Sequence, residues 1–164
     1  MNGQTAIMTE GFWVKLLATF FYVGHLPKAP GTWASGITAV ILYFVWPSGW
    51  YFQLLIIVAV YFAGVWLGTK AEPYFGHDGR PIVIDEVAGQ MTALFMAPRM
   101  IVPFLLSLIL FRLFDVIKPP PARLWESHLG GRGVMNDDIA AGVYAAVAMQ
   151  FLLALFDRWG VPYI

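Results

Sequence analysis

The sequence contains no cysteine. That excludes disulfides, thiolate metal sites and a cysteine nucleophile, and says nothing firm about compartment. Charge is scarce too: Asp, Glu, Lys and Arg make up 12% of the 164 residues, against roughly 25% in an average soluble domain. Ten acids and ten bases leave a formal net charge of zero. No basic tail or basic run is present, so no nucleic-acid partner is expected. The three histidines, His25, His77 and His128, form no i,i+4 pair and no HExxH pattern. Zinc is therefore not indicated, and they read as interface or loop residues. The opening "MNGQTAIMTEGFW" has no basic n-region, and no small-residue cleavage site is evident after the apolar stretch, so a signal peptide is not expected.

Apolar residues fill the space that charge leaves. They reach 59%, with aromatics at 16%, above the roughly 45–50% of ordinary domains, and they are clustered. The expected fold class is all-α: a polytopic membrane helix bundle forming one domain over residues 1–164. About four to five transmembrane or half-spanning helices are expected, plus an N-terminal interfacial helix.

The clearest span is Trp50–Thr69, twenty uncharged residues, the length a bilayer core requires. Ile139–Phe156 is the second. Its small residues Ala141 and Ala145, with Gly142 and Ala146, recur at a spacing that lets helices approach closely. Trp33–Trp46 joins Trp50 through "PSGW" and reads as the other arm of a helical hairpin. Phe12–Val23, shorter and interrupted by Lys15, reads as lying in the interface or packing on the bundle. Val87–Phe114 carries "MAPRMIVP" in its middle. Two prolines and an arginine are costly at mid-bilayer, so this stretch is expected to fold back near Pro98–Arg99.

That fold-back fixes parity. Lys28, Lys70, Arg80, Arg112, Lys118, Arg123 and Arg132 then share one side, and Arg99 and Arg158 the other. Seven against two places the first group in the cytoplasm by the positive-inside rule, with Trp46, Trp50, Tyr51, Trp159 and Tyr163 as the opposite aromatic belt.

Five of the ten carboxylates flank apolar segments on that side. Asp85 and Glu86 open one segment, Asp115 closes the next, and Asp137 and Asp138 open the last. Singly, each has a local explanation. Asp85 is a good N-cap, and Asn136 could cap a helix with Asp137 and Asp138 in its first turn. Asp115 could pair with Arg112 or Lys118. Together they need more. Adjacent carboxylates repel, and Asp115 sits near a helix C-terminus, where negative charge is disfavoured. Converging hard oxygen donors suit Mg²⁺, Mn²⁺ or Ca²⁺. Thr32 could cap the Trp33 helix at a phosphate-attracting N-terminus. Arg112, Lys118, Arg123 and Arg132 could hold phosphate oxygens, and Gly130, Gly131 and Gly133 could admit a ligand to the backbone. A cation, bases and helix N-termini at a membrane face suggest phosphate-ester chemistry on a lipid.

The blocks "PKAPGTWAS", "IVIDEVAG", "FRLFDVIKPPP" and "GGRGVMNDDIAAG" resemble, in order and spacing, those of the phosphatidylglycerophosphatase A family, from about Gly24 to Gly142. One position departs: Ala34 stands where the pattern carries glycine. The resemblance implies a Mg²⁺-dependent hydrolase of the bacterial inner membrane, active at its cytoplasmic face. Its implied phospholipid substrate is phosphatidylglycerophosphate, and its products are phosphatidylglycerol and phosphate. Carried over by motif, Asp85, Glu86, Asp115, Asp137 and Asp138 are the catalytic and metal carboxylates. Asp85, Glu86, Asp115 and Asp138 are the expected metal group, with Asp85, Asp115 and Asp138 as direct ligands. Glu86 or Asp137 would position or deprotonate the attacking water. Thr32, Arg112, Lys118 and Arg132 would bind phosphate. Without a cysteine or a plausible Ser–His pair, direct water attack is favoured, and an aspartyl-phosphate route stays open. The alternative is a small membrane transporter or channel with a cytoplasmic-face cation site, although no inverted repeat is visible.

Overall fold

Proline and glycine cut the apolar stretches into helices. The computed structural model describes residues 3–77, 79–120 and 131–162, with side chains from Gly11 onward. Arg123, His128, Gly130 and Tyr163, invoked above, lie outside the described residues. Among the described residues the fold is all-helical, without strands. The helices are α1 Gly3–Ala18, α2 Pro30–Val45, α3 Trp50–Phe75, α4 Ile84–Ala93, α5 Ile101–Ile117 and α6 Gly131–Trp159. Pro30 occupies the first turn of α2, where its missing N–H costs nothing. Lys118 ends α5 in the left-handed region at φ 46°, and Pro119 and Pro120 prevent its resumption.

Among the described residues two helices, α3 and α6, are long and apolar enough to cross a membrane. Only 28% of the most apolar window of each is buried, which is unlike the core helix of a soluble protein. α2 and α5 have 16 and 17 residues, or roughly 24 and 26 Å of helix, short of the approximately 30 Å hydrocarbon core. α4 has 10 residues, about 15 Å, and lies at the centre, packed on α2, α3, α5 and α6.

The expected fold-back is present. α4 ends at Ala93, a turn carries Pro98 and Arg99, and α5 returns from Ile101. Several boundaries differ. α1 ends at Ala18 because Phe20, Phe21 and Tyr22 turn left-handed. α3 continues past Thr69 through Lys70 and Glu72. α6 begins eight residues before Ile139. Asn136 is therefore no cap, and Asp137 and Asp138 are no first-turn charges. Asp85 is not the N-cap of α4 either, since Val83 occupies that place. Thr32 sits inside α2, whose N-cap is Ala29.

Close contacts set the helix directions. Gly31 at the start of α2 abuts Glu86 at the start of α4. At the other end, Trp46 Nε1 donates to the Leu94 carbonyl at 3.2 Å. Gly89 and Gly142 match α4 to α6 in the same direction. α3 and α5 run opposite, as Gly131 N–H donating to Thr69 Oγ1 at 3.1 Å and Lys118 reaching Asp137 require. All five acids thus lie at one end of the bundle. The other end is tied by hydrogen bonds. Gln53 Nε2 donates to Pro47 O at 2.7 Å, and Met96 N–H donates to Gln53 Oε1 at 2.8 Å. Gln150 Nε2 donates to Met96 O at 3.0 Å, and Arg99 donates to Trp46 O. Trp46 is therefore not part of an exposed belt: it is buried, at 3% exposure, while Trp50, Tyr51 and Trp159 are exposed. Its indole has a carbonyl partner inside the bundle and no need of an interface.

Candidate metal and phosphate site

A repeated pattern builds the site. "DEVAG" in α4 and "DIAAG" in α6 each carry an aspartate four residues before a glycine. Four residues are about one helical turn, so aspartate and glycine share a face. A Cβ on Gly142 would collide with the Gly89 carbonyl oxygen, and one on Gly89 with the Phe111 ring and the Asp138 carbonyl oxygen. Without those methyls the two backbones touch. One turn upstream, Asp85 and Asp138 are brought together. Ligand oxygens of Asp85, Glu86 and Asp138 lie within 4.8 Å of one another.

Gly31 has the same role on the third side, because any side chain there would strike the Glu86 carboxylate. Ala34, where the family pattern carries glycine, is fully buried in the core cluster that also holds Val83, the N-cap of α4, and Val87. Ser35 donates to the Gly31 carbonyl at 2.8 Å.

Three carboxylate oxygens, Asp85 Oδ1, Glu86 Oε2 and Asp138 Oδ2, are buried without a hydrogen-bond partner among the described residues. Such groups cost about 1–3 kcal/mol each or more when charged. Burial pushes the Asp85 carboxyl well above the usual carboxylate range, and the neighbouring Glu86 and Asp138 charges add to it. Burial also raises Glu86, against the lowering effect of its bond to Asp85 and of Arg112. Hard oxygens that lack partners and repel one another fit a divalent cation.

The remaining acids are engaged by bases. Arg112 Nη1 lies 2.9 Å from Asp115 Oδ2 and 3.9 Å from Glu86 Oε1. Asp115 is close enough to act on Asp138 and Glu86 electrostatically, but the group of three holds Glu86 in its stead. The left-handed turn at Lys118 sends its Nζ to Asp137 Oδ2 at 2.8 Å. Asp137 Oδ1 accepts the Asp138 N–H at 3.2 Å. Arg112 and Lys118 therefore border the acids. Arg132 does not. It is exposed in the first turn of α6 and lines a hollow with Trp66, Thr69 and Lys70 of α3. Thr32 is exposed beside Gly31.

Comparison with known proteins agrees with the geometry. The family model for phosphatidylglycerophosphatase A matches residues 16–153. The chain belongs to the phosphatidylglycerophosphatase A family. It is a phosphatase. A phosphatidylglycerophosphatase A of Haemophilus influenzae is 34% identical over 141 residues, covering 83% of this chain and 86% of that protein. The Escherichia coli K12 phosphatidylglycerophosphatase A is 32% identical over 140 residues, covering 84% and 81%. A Bacteroides thetaiotaomicron protein, provisionally named a phosphatidylinositol-3-phosphatase, is 36% identical over 153 residues, covering 88% and 92%. No solved structure matches the chain.

Sequence reasoning marked Gly142 as a point of close helix approach and missed its partners in the framework, Gly89 and Gly31. The repeated D-x-x-x-G was its visible signal. The family blocks contain both copies, but only contact between them in space gives the repeat a meaning.

Proposed function

We propose that this chain removes the terminal phosphate of phosphatidylglycerophosphate, giving phosphatidylglycerol and inorganic phosphate, with Mg²⁺ at Asp85, Glu86 and Asp138. The observation that carries this reading is the set of three partnerless buried carboxylate oxygens beside Arg112. A bound Mg²⁺ would neutralise these acids, polarise a phosphoryl oxygen and make a nearby water a better nucleophile.

The chain's own residues supply the rest. Arg112 reaches toward Glu86 and is positioned to meet phosphate oxygens as charge builds on them. Lys118 adds positive charge on the α6 side while holding Asp137. Asp137 has both oxygens engaged, so its role is to orient Lys118 and the α6 backbone. Glu86 keeps a side-chain exposure of 18% and a partnerless oxygen. It stands at the edge of the acid group beside Arg112, where an acid of the cation group can also position the attacking water. Asp115 anchors Arg112 and stands close enough to join the cation group. The water oxygen bonds to phosphorus, the phosphorus–oxygen bond to glycerol breaks, and the released alkoxide takes up a proton.

The chain sits, in this reading, as one multi-pass domain in the bacterial inner membrane with the acid end in the cytoplasm. The excess of Lys and Arg at that end supports it. A transporter site belongs near the bilayer midplane, whereas these acids gather at one end of the helices. Reporter tags at Lys28 and Ser48 should fall on opposite sides of the membrane.

The test is phosphate release by purified protein in detergent, with phosphatidylglycerophosphate and phosphatidylinositol 3-phosphate as parallel substrates. Hydrolysis of the first that stops with EDTA and returns with Mg²⁺ is expected. Preference for the second would move the assignment to the substrate in the Bacteroides relative's name. Hydrolysis of neither would overturn it.

A further inference from the structure

On the α3–α6 face lies a groove of about 960 Å³, lined by both helices, by Thr92 of α4 and by Phe95 in the turn that follows it. Its lining is graded. At the level of the acids, Tyr61 donates its hydroxyl to Asn136 Oδ1 at 2.7 Å, and Asn136 immediately precedes Asp137. Away from that pair, the α6 wall continues through Val143 and Val147, and the α3 wall ends at Leu54. Val143 and Val147 are exposed, at 47% and 66%, on a helix apolar enough to cross a membrane. From Asn136 to Val147 the groove runs along twelve residues of α6, a rise of roughly 16 Å. One leaflet is half of the approximately 30 Å hydrocarbon core. The groove therefore begins with a polar pair at the level of the acids along the bundle axis and descends one leaflet deep with apolar walls.

We infer that this groove seats one acyl chain of the phospholipid whose phosphate lies on the acid site. The inference rests on the lipid-phosphatase reading above. The polar pair lies where the ester and glycerol region begins, and the apolar stretch lies where the tail runs. Hydrocarbon gains little from leaving lipid for a protein groove, because lipid tails are already apolar. The groove's contribution is therefore orientation: a chain lying along α6 fixes the height and direction of the headgroup. Misplacement of a reacting group by about 1 Å can cost on the order of 100-fold in rate. This also gives Asn136 a role that capping does not, since together with Tyr61 it closes the upper end of the channel.

Two readouts test it. First, wild-type protein in phosphatidylcholine vesicles is irradiated with phosphatidylglycerophosphate carrying a mid-chain diazirine, and separately with phosphatidylcholine carrying the same group. Severalfold stronger labelling of the Val143–Val147 segment by the first probe is expected. Equal labelling would mean ordinary surrounding lipid and would overturn the inference, as would labelling of another face. Second, Val143→Trp and Ala146→Trp fill the groove, with Ile109→Trp on the exposed face of α5 as control. Each groove variant should lower the ratio of kcat/KM for dioleoyl over dibutanoyl phosphatidylglycerophosphate by about tenfold, and the control should not. An unchanged ratio overturns the groove while leaving the phosphatase reading intact. Absence of phosphate release from either lipid by wild-type protein overturns the phosphatase reading itself.

Discussion

The two ends of the bundle both carry polar groups between packed helices, and they treat them in opposite ways. At the turn end, the buried Trp46 and Gln53 bond to backbone, and the exposed Arg99 and Gln150 reach backbone from the rim. At the acid end, carboxylate oxygens on α4 and α6 stay buried without partners. Buried polar groups in proteins are nearly always satisfied. The turn end follows that rule, as a structural closure should. The acid end breaks it with like charges, which is costly for a fold and useful for a site that binds a cation.

The sharpest way to break this contrast is to neutralise one acid. Asp138→Asn or Asp85→Asn should cut phosphate release by about 10²–10⁴-fold. The same variants should unfold at higher temperature than wild type when both are cation-free, because a repulsion has been removed. Loss of activity together with loss of cation-free stability would make these acids structural. A middling effect comes from the crossing that brings them together. Gly142→Leu should cost about 1–3 kcal/mol through overpacking and should weaken cation binding with it, as read by thermal unfolding with and without Mg²⁺. The turn end should behave differently. Gln53→Ala should also cost about 1–3 kcal/mol by stranding its backbone partners, yet leave kcat/KM of the folded protein unchanged. A fall in kcat/KM there would dissolve the distinction between the ends.

The smallest expected effect is on pH. Asp85 has a folded-state pKa above its ordinary value of 3.8, so it binds its proton more tightly folded than unfolded. Its contribution to cation-free stability is complete below that ordinary value and is lost as pH rises through the raised one. Cation-free Tm should therefore fall as pH is raised from mildly acidic to neutral. Saturating Mg²⁺ should flatten that slope.

Much of this was legible in sequence, for physical reasons. Uncharged runs of bilayer length marked α3 and the middle of α6. Pro98 and Arg99 in an apolar stretch forced the fold-back, which in turn carried Asp115 to the end where Asp85 and Asp138 lie. The start of α6 was not legible. "GRGVM" reads as loop by composition, yet Gly131 is helical because it packs where a side chain would strike the α3 backbone. This moved Asp137 and Asp138 away from any capping position. Arg132 and Thr32 were grouped with the phosphate by residue type, which does not disclose that Arg132 lines a hollow with Trp66, Thr69 and Lys70 or that Thr32 is exposed beside Gly31. Trp46 resembled a belt residue because sequence does not reveal the Leu94 carbonyl waiting for its indole.

The most direct measurement is cation binding itself. Mn²⁺ stands in for Mg²⁺ and is followed by the loss of its free electron paramagnetic resonance signal on titration with purified protein. Wild type should bind Mn²⁺ and release it to competing Mg²⁺, Gln53→Ala should match wild type, and Asp85→Asn and Asp138→Asn should each bind far more weakly. Mn²⁺ binding that is absent from wild type, or undiminished in both aspartate variants, would contradict the account.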